Sequence, residues 1–159
     1  MHPNYAGDIG IGPNPKLKAR IENADLVLLV GGRMSEMPSQ SYTLFGIPEP
    51  AQTIVHVHPG AEELGRVYHA ALSIHASPEA FASAAESLQP PHAAIPWAEE
   101  TRAAHADYLA WSGARPAIPG PVQMAQVMDF LETRVPADTV FCNGAGNYAT
   151  WIHRFHRFR

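Results

Sequence analysis

The residues best placed to do chemistry are Gly144-Ala145-Gly146-Asn147-Tyr148-Ala149, which sit between a predicted strand and a predicted helix. Glycines let a backbone come close to a ligand, and a helix start offers N–H groups without partners and a positive dipole end. Together these features are a means of holding a phosphate. As a bare pattern the stretch fits G-x-G-x-x-A, the dinucleotide fingerprint, but the acidic residue expected about twenty positions on would fall past Arg159. Two readings stand at this level: a phosphate-binding turn, and a glycine-rich strand-to-helix turn that binds nothing.

A second candidate is Gly31-Gly32-Arg33, at the carboxyl end of a predicted strand, where open α/β sheets place ligands. Arg33 suits a nucleotide phosphate, which a guanidinium grips with two parallel bonds. Its alternative is a structural arginine bonded to carbonyls or to Glu36. Nine histidines raise the question of a metal. His56 and His58 share a strand face, and His153 and His156 share a helix face. Neither pair has a carboxylate or cysteine at ligand spacing, so no metal site is expected. Cys142 reads as a small buried hydrophobe, and the cluster Arg154 to Arg159 reads as a cationic helix end. No catalytic residue is identified, since no nucleophile–base set has a meaningful local spacing.

The elements that must position these residues follow from periodicity. Asn14-Pro15 reads as a cap and first-turn proline, opening a helix with Leu17, Ile21 and Ala24 on one face. Leu26-Val27-Leu28-Leu29-Val30 predicts a parallel strand buried on both faces. Thr53 to His58 predicts a second strand, followed by a short helix from Ala61 to about Val67. Ala71 to His75 predicts a third, and Ser77-Pro78-Glu79 opens a helix running to Leu88. Strands alternating with helices predict an α/β, Rossmann-like parallel sheet with flanking helices, lacking its first strand–helix unit.

Three regions are expected. Residues 1–88 form the Rossmann-like domain. Residues 89–120 form a linker rich in proline (Pro90, Pro91, Pro96, Pro116, Pro119) that holds one helix from Trp97 to Trp111. On that helix Trp97, Thr101, Ala104, Tyr108 and Trp111 share a stripe. Residues 121–159 begin a second α/β domain. It has a helix from Val122 to Val135, with Met124, Val127, Met128, Leu131 and Val135 inward, a strand Thr139 to Cys142, and a helix ending in Arg154, His156, Arg157 and Arg159. A lone helix–strand–helix cannot build a core, so the chain is expected to stop where a domain has begun.

Composition narrows the class. The chain has 159 residues, 46% of them hydrophobic and 16% charged, so a packed core is expected. A net charge of −4 gives no basic surface for nucleic acid. No apolar run approaches the ~20 residues that span a bilayer. The amino terminus has no signal-peptide pattern, and a single cysteine fits a reducing cytoplasm.

The order of the segments carries a resemblance. Tyr5-Ala6-Gly7 with Gly10, Ala24 to Arg33, and Ile54 to Pro59 followed by Glu63-Leu64-Gly65 resemble the central domain of thiamine-diphosphate-dependent enzymes of the acetolactate-synthase-like group. Pro119 to Val122 and Asn143 to Trp151 resemble the start of their diphosphate-binding domain. The resemblance implies that Gly144, Ala145, Gly146, Asn147 and Tyr148 contact the cofactor's diphosphate. It implies magnesium as well, held by a Gly-Asp-Gly motif and a later Asn that would lie beyond Arg159. The activating glutamate belongs to a pyrimidine domain to which nothing here corresponds. Acetolactate synthases hold FAD with an arginine in the place of Arg33, whereas other members keep the fold with no nucleotide or a different one. His56 and His58 stand where the family often has acidic residues.

The function so implied is a fragment of an enzyme that makes or breaks carbon–carbon bonds of 2-oxo acids, inactive alone and part of a homo-oligomer when complete. Two other classes remain open: a small NAD-like nucleotide-binding module, and a non-catalytic split subunit.

Overall fold

The computed structural model describes residues 2–89 and 94–157. Pro90, Pro91 and Arg159 lie outside the described residues. The chain divides into two compact units, one of Pro15–Pro96 and one of Met1–Asn14 with Trp97–Arg159.

The first unit is α/β. Helix α1 (Pro15–Glu22) leads into β1 (Leu26–Val30), β2 (Thr53–His58), β3 (Leu72–His75) and α2 (Pro78–Ala85). The strands form a parallel sheet in the order β1-β2-β3, with Leu28 beside Val55 and Val55 beside Leu72. Parallel neighbours need a crossover, usually a helix. Between β1 and β2 the crossover is irregular: Gln40, Ser41 and Tyr42 in succession have positive φ, which no right-handed helix accommodates. Met34, Leu44 and Phe45 are buried in it, and Ser39 is fully buried, accepting the Tyr42 N–H at 2.9 Å.

This crossover covers the sheet face that carries Val27, Leu29, Ile54 and His56. The opposite face is covered unevenly. Helix α2 packs against β2, where Val57 is fully buried. On the edge strand β1, Leu26, Leu28 and Val30 remain exposed, as does Leu72 on β3. The expectation of a strand buried on both faces is therefore corrected for β1. An all-aliphatic strand records what its residues tolerate, and cover depends on what packs there. The helix expected from Ala61 to Val67 shrinks to a 3-10 turn, Ala61–Glu63, because the chain turns extended at Leu64 and left-handed at Gly65 (φ 75°).

The second unit is helical: α3 (Ala98–Gly113), α4 (Met124–Arg134) and α5 (Ala149–Phe155), with α5 packed on both α3 and α4. Tyr108, Ala125, Met128, Ala149 and Phe155 form its apolar core. On α4, Ala125 replaces Val127 in the inward register, and Val127 is exposed. On α3 the stripe holds at Tyr108, but Trp97 is the residue before the first turn and is 61% exposed. The amino-terminal loop lies on α3: Tyr5 packs edge-on against Tyr108 with centroids 4.9 Å apart, and His105 Nδ1–H donates to the Tyr5 carbonyl at 2.7 Å.

Residues Thr139 to Cys142 form no strand among the described residues, which corrects the expected one. A strand requires a neighbour to complete its ladder, and the second unit offers none. Val140 is consequently 84% exposed, and Cys142 is exposed rather than buried. Helix α5 ends at Phe155, two residues before Arg157, so Arg157 is not part of a cationic last turn.

Candidate functional site

The glycine turn runs directly into α5. Neither Gly144 nor Gly146 has positive φ, so backbone conformation does not demand glycine at either place. What a side chain at either place would meet is the exposed ring of Tyr148. A Cβ on Gly144 would stand 2.7 Å from the Tyr148 hydroxyl oxygen, and one on Gly146 would stand 2.7 Å from Tyr148 Cε1 and 3.0 Å from Cδ1. The Tyr148 ring thus lies beside both glycines, with 59% of the residue still exposed.

Hydrogen bonding polarises the same stretch. The carbonyls of Gly146, Asn147 and Tyr148 accept the N–H groups of Ala149, Thr150 and Trp151 at 3.0, 3.2 and 3.1 Å. Thr150 Oγ1–H also donates to the Asn147 carbonyl at 2.6 Å, and Asn143 Nδ2 donates to that of Gly144 at 3.0 Å. The N–H groups of Ala145, Gly146, Asn147 and Tyr148 have no hydrogen-bond partner among the described residues. No side chain caps α5. Four successive free donors, with Gly146 among them and Gly144 just before, suit an anion with several oxygens.

In the first unit, Gly31 has φ 72°, a conformation that glycine adopts without the Cβ penalty, and its N–H donates to Val57 O at 2.8 Å. A Cβ there would also sit 2.8 Å from Pro78 Cγ at the start of α2. The Gly32 carbonyl accepts Nε2–H of buried His56 at 2.9 Å. Arg33 is 59% exposed in its side chain and reaches Glu63 at 3.8 Å rather than Glu36. Met34, next in line, is buried at φ 46°, a strained place for a side-chain-bearing residue. The cavity beneath Arg33, walled by Met34, Phe45, His56 and Tyr68, measures about 20 Å³. That holds a water; a nucleotide would have to lie on the open surface at the strand ends.

Two of the strand histidines, His58 and His75, are tied to the backbone. His58 Nδ1 accepts the Gly60 N–H at 3.0 Å, and His75 Nε2–H donates to Pro59 O at 2.8 Å. His153 is exposed, whereas His156 lies under Phe141 with Nδ1 3.2 Å from Glu132 Oε2.

A family model described as thiamine pyrophosphate enzyme, central domain, matches residues 1–85. The chain belongs to that family. The match covers the sheet and its Gly31-Gly32-Arg33 turn; the glycine turn at 144–148 lies outside it. The family's cofactor is thiamine diphosphate. Among curated proteins, none matches the chain. No described helix is long and apolar enough to cross a membrane. The sequence made both glycine turns visible. It did not disclose the Tyr148 ring on the second or Glu63 beside Arg33, because neither contact has a periodicity or motif to announce it.

Proposed function

We propose that the chain is part of a thiamine-diphosphate- and magnesium-dependent enzyme of acetolactate-synthase-like type, acting on 2-oxo acids. The observation that carries the reading is the run of free N–H groups from Ala145 to Tyr148, in a turn where Gly144 and Gly146 carry no side chain. Thiamine diphosphate, when bound, supplies a carbon nucleophile for the carbonyl of a 2-oxo acid. The part of this chain is to hold. The N–H groups of Ala145, Gly146, Asn147 and Tyr148 would donate to diphosphate oxygens, fixing the cofactor's tail so that its reactive end is placed. Gly144 keeps the approach open. Gly31, Gly32 and Arg33 are assigned, secondarily, to a nucleotide phosphate, for which the exposed guanidinium of Arg33 at the strand ends is the supporting feature. A flavin forms no part of the proposal.

Calorimetric titration of thiamine diphosphate with magnesium into the complete enzyme tests the assignment. Gly146→Val should abolish measurable binding, since a branched side chain there closes the turn. Unchanged affinity in that variant would refute the site.

A further inference from the structure

Two guanidiniums converge on one carboxylate oxygen at the carboxyl ends of the first unit's strands. Arg66 Nη1 lies 2.9 Å from Glu63 Oε1, and Arg33 Nη1 lies 3.8 Å from the same atom. Arg33 follows β1, whereas Glu63 and Arg66 follow its parallel neighbour β2, and all three line the cavity walled by Met34, Phe45, His56 and Tyr68. Exposure separates their roles. The arginine side chains are 59% and 62% exposed, but that of Glu63 only 13%. A nearly buried carboxylate is thus seated between two cations that remain open to solvent. Each guanidinium commits only Nη1. Nε and Nη2, the fork that grips an oxyanion with two parallel bonds, have no partner on either arginine among the described residues. One negative charge against two positive ones leaves the group short of an anion.

We propose that Arg33 and Arg66 form a paired clamp for a phosphate monoester dianion, and that Glu63 is the clamp's resident counter-ion, competing with that ligand by its own charge. This rests on the nucleotide-phosphate reading of Arg33 above and adds to it a second cation and a built-in competitor. A phosphate monoester presents three terminal oxygens, enough to engage both forks at once. It does so at the surface, where the guanidiniums are exposed, and the small cavity behind them need not admit it. Removing either arginine should therefore weaken binding. Glu63→Gln keeps an oxygen for the guanidiniums but discards the charge, so it should strengthen binding.

The probe is adenosine 5′-monophosphate, titrated calorimetrically into the 159-residue chain and its variants at low salt. Adenosine is the control without phosphate, and circular dichroism shows that each protein is folded. Arg33→Ala and Arg66→Ala are each expected to weaken binding about tenfold, the loss of one charge-assisted pair of bonds. Glu63→Gln is expected to strengthen it about threefold, the scale of one exposed charge pair. If Arg33→Ala weakens binding and Arg66→Ala does not, the clamp falls while the single-arginine reading stands. Unchanged or weaker binding by Glu63→Gln would overturn the competitor, making the carboxylate a support for the guanidiniums instead. Both the clamp and the phosphate reading fall if the folded parent binds no monophosphate, if adenosine binds as tightly, or if neither arginine variant differs from the parent.

Discussion

The guanidinium carbon of Arg154 lies 3.5 Å from the centre of the Trp111 ring, and Arg154 Nε–H donates to the Trp111 carbonyl at 3.1 Å. One side chain of α5 thus grips the end of α3 twice, by the ring face and by a carbonyl in the last turn. The same guanidinium is 4.7 Å from the Phe155 ring. Burial pushes the Arg154 pKa down, yet an arginine stays charged at any working pH. Lysine cannot reproduce a planar group that stacks and donates at once. Arg154→Lys is expected to lower stability by about 1 kcal/mol, the scale of a partly desolvated cation–π contact. Chemical denaturation reads it as a lower midpoint at unchanged slope. An unchanged midpoint would mean that the stack contributes nothing.

Val57 and Leu28 project from the same face of the sheet but into different surroundings. Val57, at the centre, is fully buried under the α2 side; Leu28, on the edge strand, is 50% exposed. Truncating Val57 to Ala leaves a cavity and should cost about 2 kcal/mol, whereas Leu28→Ala should cost under about 1 kcal/mol despite deleting more carbon. The order of the two urea midpoints is the check. If Leu28→Ala proved the more damaging, that face would have to be covered.

How far the sequence reaches is clear from these elements. Leu26–Val30, Thr53–His58 and Leu72–His75 were legible as parallel strands because β-branched and aliphatic runs end in glycine, proline or histidine–loop boundaries. Ser77-Pro78 was legible as a helix start, and its hydroxyl accepts the Ala80 N–H at 3.2 Å. What composition could not disclose was cover. The string Leu26-Val27-Leu28-Leu29-Val30 is equally apolar on both sides, so nothing in it says that alternate residues face solvent. Thr139 to Cys142 has strand-forming residues but no neighbour to pair with among the described residues, and propensity yields to that lack. At the candidate site the glycines were visible, while the ring beside them was not.

Two left-handed glycines separate conformational strain from steric conflict. Gly31 (φ 72°) would bring a Cβ within 2.8 Å of Pro78, while Gly65 (φ 75°) has nothing within 4 Å of that position. Gly65→Ala should cost about 1 kcal/mol, from the left-handed backbone alone. Gly31→Ala should cost about 2 kcal/mol or more, because the same backbone penalty is joined by a displaced α2. Equal losses of thermal midpoint would show that Pro78 gives way freely.

The amino end of α2 should make stability depend on pH. Glu79 stands in the first turn, where its carboxylate accepts its own backbone N–H and, to a smaller extent, the Ser77 hydroxyl; both hold its pKa below the ordinary 4.5. A carboxylate depressed in the folded state stabilises the fold above its unfolded pKa. That contribution disappears as pH falls through the lower, folded value. It is therefore present at pH 7 and lost at the acid end, below 4.5. The group is fully exposed, so salt should weaken the electrostatic part of the effect. Glu79→Gln is expected to lower the thermal midpoint at pH 7 and to have no effect once the parent's carboxylate is protonated. Ser77→Ala removes the cap itself and should cost about 1 kcal/mol at both ends of the range. Midpoints for the three proteins between pH 7 and pH 2.5 make the test. Parallel curves for the parent and Glu79→Gln would place the origin of the acid sensitivity somewhere other than α2.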